Sequence, residues 1–253
     1  MKVLATRPKK QNAAWISRLE GEGYRCLAAP LIEIRAAVGE QSLRAIERKI
    51  LSLDHFYALI FVSQNAVDFG LDWIDRYWPQ VPAQIYWFAV GAKTAQCLNA
   101  HPLLSGENIL AATGEMNSEA LLQFEGLQQA RVNEKKILIF RGLGGRTLLG
   151  DSLRDRGAEV EYCELYSRSA PAELSQLSFE VERTLVPVFS GEALQNFHAA
   201  FCRDPTMVKR AKLVVPGSRV QQLARQLGFE SIEMAVNASE LAMLEAIIKA
   251  SDA

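Results

Sequence analysis

The chain contains itself twice, and this repetition constrains its fold more than any other feature. Residues 2–34, KVLATRPKKQNAAWISRLEGEGYRCLAAPLIEI, lie without a gap on residues 136–168, KILIFRGLGGRTLLGDSLRDRGAEVEYCELYSR, at a constant offset of 134. Arg7 meets Arg141, Leu19 meets Leu153, Gly23 meets Gly157 and Leu31 meets Leu165. The segment FVSQNAV recurs as VFSGEAL, with Ser63 on Ser190 at an offset of 127, and AVGAKTAQCL (89–98) resembles VVPGSRVQQL (214–223) at an offset of 125. Identity is low, but order and pattern are kept. The chain therefore reads as two similar halves with a ligand-binding cleft between them.

At 253 residues with 49% hydrophobic content, each half can build its own core. The 28 basic and 29 acidic residues are interspersed and leave a net charge of −1, so nothing draws the whole protein to nucleic acid or an anionic membrane. Any anionic ligand has to be held locally. Cys26, Cys97, Cys163 and Cys202 lie 71, 66 and 39 residues apart, which gives neither a metal-ligand spacing nor a compact disulfide framework and suits a reducing cytosol. In MKVLATRP an arginine arrives before a signal-peptide apolar region can form, and no apolar run approaches the roughly 18 residues that span a bilayer. The expectation is a cytoplasmic protein with no membrane segment.

Short apolar runs alternate with amphipathic ones. The strand-like runs are VLAT (3–6), ALIFV (58–62), IYWFAV (85–90), ILIF (137–140), VEYC (160–163), LVPVF (185–189) and KLVVP (212–216). Helical periodicity covers 10–21, 40–53, 64–77, 92–100, 117–125, 147–156, 171–178, 191–202, 217–227 and 239–250. Alternation of this kind predicts parallel sheets covered on both faces. Gly23, Gly157 and Gly228 each fall just past a helical stretch, where a left-handed terminal residue is easiest for glycine. Two pairings are compatible with the repeat: tandem domains of about 1–130 and 131–253, or an exchanged arrangement in which residues 1–35 pack with the C-terminal third. Periodicity alone does not choose. The matching segments LIEIRAA (31–37) and LYSRSAP (165–171) would make a two-stranded hinge, which favours exchange.

In open parallel sheets ligands bind beyond the carboxyl ends of the strands, where helix N-termini present unpaired N–H groups. The loops that fall there are TRPKK (6–10), VSQNAV (62–67), VGAKTA (90–95), RGLGGRT (141–147), FSGEA (189–193) and PGSRV (216–220). Ser63, Gln64, Asn65, Gly91, Ser190, Gly191, Gly217 and Ser218 are the candidate contacts, the small residues among them because they let a ligand approach the backbone. Arg7 and Arg141 end equivalent strands, and Lys9, Lys10 and Arg146 follow in the same loops, where arginine's planar fork would suit carboxylates. GLGGRT is a partial dinucleotide fingerprint, but Thr147 replaces its third glycine and Arg141 separates strand from loop, so a nicotinamide site is disfavoured. His55, His101 and His198 are isolated from one another, and no metal, nucleophile-elbow, P-loop or paired-carboxylate motif is present. Tyr166 stands out, because it falls in a crossover beside the cleft and a phenol can donate a hydrogen bond while neutral.

Taken in order, TRP, FVSQNAV, AVGAKTAQCL, NSEALL (117–122), RGLGGRTLLGDSLRDRGAEVEYCELYSR, VFSGEALQNF and VVPGSRVQQLARQLGF resemble the uroporphyrinogen-III synthase family over nearly the whole chain. That resemblance implies two flavodoxin-like, doubly wound α/β domains joined by a two-stranded β linker. The first would be discontinuous (1–35 plus 170–253), the second 36–169, with the active-site cleft between them. It implies cofactor-free and metal-free cyclisation of hydroxymethylbilane to uroporphyrinogen III, with inversion of the last pyrrole ring and loss of water, in tetrapyrrole (haem and sirohaem) biosynthesis. It also implies that Tyr166 matches the linker tyrosine that hydrogen-bonds the leaving hydroxyl, and Thr94 a cleft threonine. Where the second half would carry a counterpart hydroxyl, PGSRV offers Ser218 followed by Arg219. The protein partner suggested is hydroxymethylbilane synthase, in a transient contact, with the chain itself a monomer. The rival from another class is a non-catalytic two-domain protein that binds an anionic metabolite.

Overall fold

The computed structural model describes residues 1–112, 118–201 and 205–251; Asn117 and Cys202 lie outside them. Eleven strands are present among these: β1 Lys2–Ala5, β2 Arg25–Ala28, β3 Glu33–Ala36, β4 Ala58–Phe61, β5 Tyr86–Ala89, β6 Ile109–Ala111, β7 Lys136–Gly142, β8 Glu159–Ser169, β9 Thr184–Pro187, β10 Lys212–Pro216 and β11 Ser231–Ala235. They form a five-stranded sheet in the order β11-β10-β9-β1-β2 and a six-stranded sheet in the order β3-β8-β7-β4-β5-β6. Pairing is parallel from β2 to β11 in the first sheet and from β8 to β6 in the second.

The chain divides into two compact units, Met1–Ile34 with Arg168–Ala253, and Arg35–Ser167. Within the first, the sheet reads β2-β1-β9-β10-β11; within the second it reads β8-β7-β4-β5-β6 with β3 added beside β8. The first has the flavodoxin order, in which the second strand flanks the first and the other three continue on its far side; the second has the same spatial arrangement circularly permuted, since apart from β3 its chain enters at β4 and supplies β7 and β8 last. The sequence repeat pairs β1 with β7 and β4 with β9, so the five-stranded sheet takes two strands from the first repeat and three from the second, and the six-stranded sheet two from the second and four from the first. The chain passes between units at Ile34/Arg35 and Ser167/Arg168, inside the neighbouring strands β3 and β8.

Both faces of the first sheet are covered. Strand alternation sends Val3, Ala5, Leu185 and Val214 to one face, where Trp15 and Leu19 from the helix Lys9–Gly21 meet Met243 and Ile247 from Glu240–Ser251. Leu4, Val186, Leu213 and Val215 point to the other, against Leu194 and Phe197 of Gly191–Phe201 and Val220 and Ala224 of Ser218–Gln226. In the second unit Ile60, Phe88, Ile137 and Ile139 face Leu121, Leu149 and Leu153. Phe61 stacks on Phe140 at 4.4 Å and on Trp87 at 6.1 Å, and all three are fully buried.

The glycines expected at helix ends do that work. After Lys9–Gly21, Gly23 has φ +84°, its N–H reaches the Glu20 carbonyl and the Tyr24 N–H reaches that of Leu19. The same double bond recurs at Gly157, with Ala158 reaching Leu153, and at Gly228, with Phe229 reaching Ala224. This is the Schellman arrangement, which requires a left-handed residue that glycine adopts without Cβ strain. The helix expected at 171–178 is instead a five-residue 3-10 turn, Ala172–Gln176, and that expected at 117–125 shortens to Ser118–Leu121.

Candidate active site

In each flavodoxin-type sheet the strand order reverses beside the first strand, and the carboxyl ends there leave a crevice. In the second unit these ends carry the loops after β7, β4 and β5. Ser63 caps the helix Gln64–Tyr77, its Oγ accepting the Ala66 N–H at 3.1 Å. The same Oγ lies 2.9 Å from the Tyr166 Oη. Tyr166 is 5% exposed, its ring stacked on Phe69 at 5.7 Å. Strand pairing slips between Arg141 and Gly142, so that Gly142 lies opposite Tyr166 and β8 carries one extra residue. A Cβ on Gly142 would sit 2.6 Å from the tyrosine ring, so only glycine leaves room for it there. Gln64 and Asn65 follow on the first turn, half-buried, with side-chain amides that make no hydrogen bond among the described residues.

Tyr166 also lines a cavity of about 280 Å³ together with Ala36, Val38, Lys49, Leu143 and Cys163. Burial pushes the Cys163 thiol up to about 12, so it stays protonated and is no nucleophile. Among the described residues no group of His, Cys, Asp and Glu could hold a metal ion, and no helix is long and apolar enough to cross a membrane.

The two strand-end arginines are engaged within their own units. Arg141, expected to meet a ligand's carboxylates, is 5% exposed and spent inside its own loop. It donates to the carbonyls of Gly142 (3.3 Å), Gly145 (2.6 Å) and Arg146 (3.3 Å), pairs with Glu164 at 3.4 Å, and stacks over Tyr162. A guanidinium so engaged shapes the 142–146 loop rather than presenting charge. Arg7 behaves alike in the first unit, bonding Gln11, pairing with Glu240 at 2.9 Å and lying over Phe189. Burial lowers its pKa from the ordinary value, and Glu240 raises it in part. Arg141→Lys cannot reproduce the three-carbonyl fork, so it should cost roughly 2 kcal/mol in chemical denaturation; an unchanged midpoint would show the loop closes without it. Arg146, by contrast, is exposed with no ion-pair partner among the described residues.

The glycine loops agree between units. Gly91 (φ +96°) and Gly217 (φ +86°) are the N-caps of Ala92–Asn99 and Ser218–Gln226, and Ser190 caps Gly191–Phe201 through the Ala193 N–H at 3.1 Å, as Ser63 does in its helix. The equivalent bonds Gly91 N–H to Ala89 and Gly217 N–H to Val215 place the correspondence at 126, one more than the sequence suggested. Thr94 therefore matches Val220, and both are buried. The Thr94 hydroxyl donates to the Val90 carbonyl at 3.4 Å, inside its own helix turn. Ser218 is exposed at the first turn. The shift also pairs Lys93 with Arg219, two exposed cations without an ion-pair partner among the described residues. The sequence reading missed Lys93, and the corrected offset finds it.

The family model of uroporphyrinogen-III synthase HemD matches residues 13–245. The uroporphyrinogen-III synthase of Escherichia coli strain K12 is 36% identical over 98% of this chain and 100% of its own length, and that of Salmonella typhimurium strain LT2 has the same identity and coverage. This chain belongs to the uroporphyrinogen-III synthase family. A solved mutant uroporphyrinogen III synthase from the extreme thermophile Thermus thermophilus shares the fold at a TM-score of 0.62 and 15% identity, over 100% of this chain and 99% of that one. The Helicobacter pylori 26695 structure does so at 0.53 and 17% identity, over 89% and 92%. In the second unit the strand-end loops offer helix N-terminal backbone donors, the exposed cations Lys93 and Arg146, and the held Tyr166 phenol. Of the isolated histidines, His101 accepts the Leu103 N–H and His198 packs edge-on against Phe229.

Proposed function

We propose that this protein is a uroporphyrinogen-III synthase that closes hydroxymethylbilane into the type III macrocycle. The observation that carries this is the end-to-end match to the E. coli enzyme, 36% identical with neither chain left uncovered by more than 2%. The substrate bears an acetate and a propionate on every ring, which suits the N-terminal N–H groups of the helices starting at Gln64, Ala92, Gly191 and Ser218 and the exposed cations Lys93, Arg146 and Arg219. In the first unit Ser190, Gly191, Gly217 and Ser218 supply such contacts, in the second Gln64, Asn65 and Gly91, while the Ser63 hydroxyl is engaged with Ala66 and Tyr166.

The chemistry requires no redox cofactor. The terminal C–O bond breaks with its electron pair leaving on oxygen; that oxygen takes one proton and departs as water, while the pyrrole nitrogen gives up its own proton. The substituted carbon of the last ring attacks the methylene of the resulting electrophilic azafulvene, the spiro intermediate fragments, and reclosure at the free α-carbon of the last ring, with loss of that carbon's proton, leaves the ring inverted. Tyr166 donates the hydrogen bond to the departing oxygen. Positioning of a flexible bilane, worth several orders of magnitude when reacting atoms are aligned, is the main source of rate. The protein acts as a monomer in the cytoplasm and receives the unstable bilane from hydroxymethylbilane synthase.

Freshly made hydroxymethylbilane should disappear at a rate proportional to protein concentration and above the spontaneous rate, without added metal or nucleotide. A non-catalytic binding protein would leave that rate unchanged or slow it.

A further inference from the structure

We propose that Ser63 is the positioning residue for Tyr166: its hydroxyl accepts the Ala66 N–H, donates to the phenol oxygen, and so leaves the phenol's one proton free for the departing hydroxyl of the bilane. The inference rests on the reading of Tyr166 given above. A phenol carries a single proton. If Tyr166 gives it to the substrate, the 2.9 Å contact with Ser63 has to run the other way, from Oγ–H to Oη. Ser63 is arranged for that, because its oxygen already accepts a backbone N–H at 3.1 Å and its own proton has no other acceptor among the described residues. The result is a head-to-tail chain from the helix N–H through Oγ and Oη. It begins at the positive end of a 14-residue helix, and donors in such chains polarise one another. The phenol ring is fixed on its other sides by Phe69 and by the bare backbone of Gly142.

The duplicated architecture supplies an internal comparison. Ser190 caps its helix with the same 3.1 Å bond to Ala193 N–H, yet among the described residues no phenol hydrogen-bonds to it, and the residue equivalent to Tyr166 at the offset of 134 is Ile32. Capping therefore accounts for the serine in both units and for the phenol contact in neither.

The test is a double-mutant cycle on the full-length protein, with kcat and KM measured on hydroxymethylbilane for Ser63→Ala, Tyr166→Phe and the double variant. Ser63→Ala should lower kcat about tenfold with KM little changed, and the double variant should be no slower than Tyr166→Phe alone. Ser63→Thr, which keeps both bonds, should return kcat to within about twofold of wild type. Ser63→Gly, which costs the cap only a few tenths of a kcal/mol, replaces the alanine variant should that fail to fold. Multiplying losses in the double variant, or an effect of Ser63→Ala on KM alone, would overturn the proposal while leaving the synthase reading intact. Full activity of Tyr166→Phe would overturn both the proposal and the role of the phenol, and absence of any type III product would overturn the function itself.

Discussion

Tyr166→Phe should lower kcat by about 100-fold, the low end of what a positioned proton donor contributes. The low end is expected because most of the rate comes from folding the bilane into one geometry, which the variant leaves untouched. Phenylalanine keeps the stack on Phe69 and the seat over Gly142, and only the 2.9 Å bond to Ser63 is lost. The folding cost should stay near 1 kcal/mol, since Ser63 Oγ retains the Ala66 N–H. Steady-state kinetics beside thermal unfolding separates the two effects. Full turnover in a folded Tyr166→Phe protein would remove the phenol from the chemistry.

Phe61→Ala should be the most destabilising of these substitutions, at about 4 kcal/mol. The ring is fully buried, stacked between Phe140 and Trp87, and close enough to Gly70 that a Cβ there would meet it at 2.9 Å. A cavity at this point cannot collapse, because β4 is hydrogen-bonded on both sides, to β5 and to β7. Amide exchange should show the loss of protection concentrated in Arg35–Ser167, where Phe61 lies. A loss below about 1 kcal/mol would mean the aromatic stack is not what holds this sheet together.

Much of the fold was legible because the central strands are buried on both faces. Ala58–Phe61 and Thr184–Pro187 are buried at every position, so they read as continuous apolar runs. The strands that the apolar runs left out, β2, β3, β6 and β11, stand at sheet edges and are at most partly buried, as in RCLA and SIEMA, so alternation fades there. The site was less legible. The 125 offset was one short because β10 runs through Pro216, one residue further than the repeat allows, which moved the match from Lys93/Arg219 to Thr94/Arg219. For Arg7 and Arg141, a strand-end arginine has the same sequence signature whether it faces a substrate or its own loop. Only the carbonyls of Gly142, Gly145 and Arg146 tell the two apart. Tyr166 could be singled out from its place in the crossover, but its bond to Ser63 joins residues 103 apart in the chain, beyond the reach of any local pattern.

The central claim is that the protein decides which macrocycle forms. The isomer composition of the product from fresh hydroxymethylbilane tests it most directly, since spontaneous closure gives the type I uroporphyrinogen. With protein present, type III should dominate in proportion to catalytic turnover, and Tyr166→Phe should shift the mixture toward type I. A product that stays type I at any protein concentration would contradict the account.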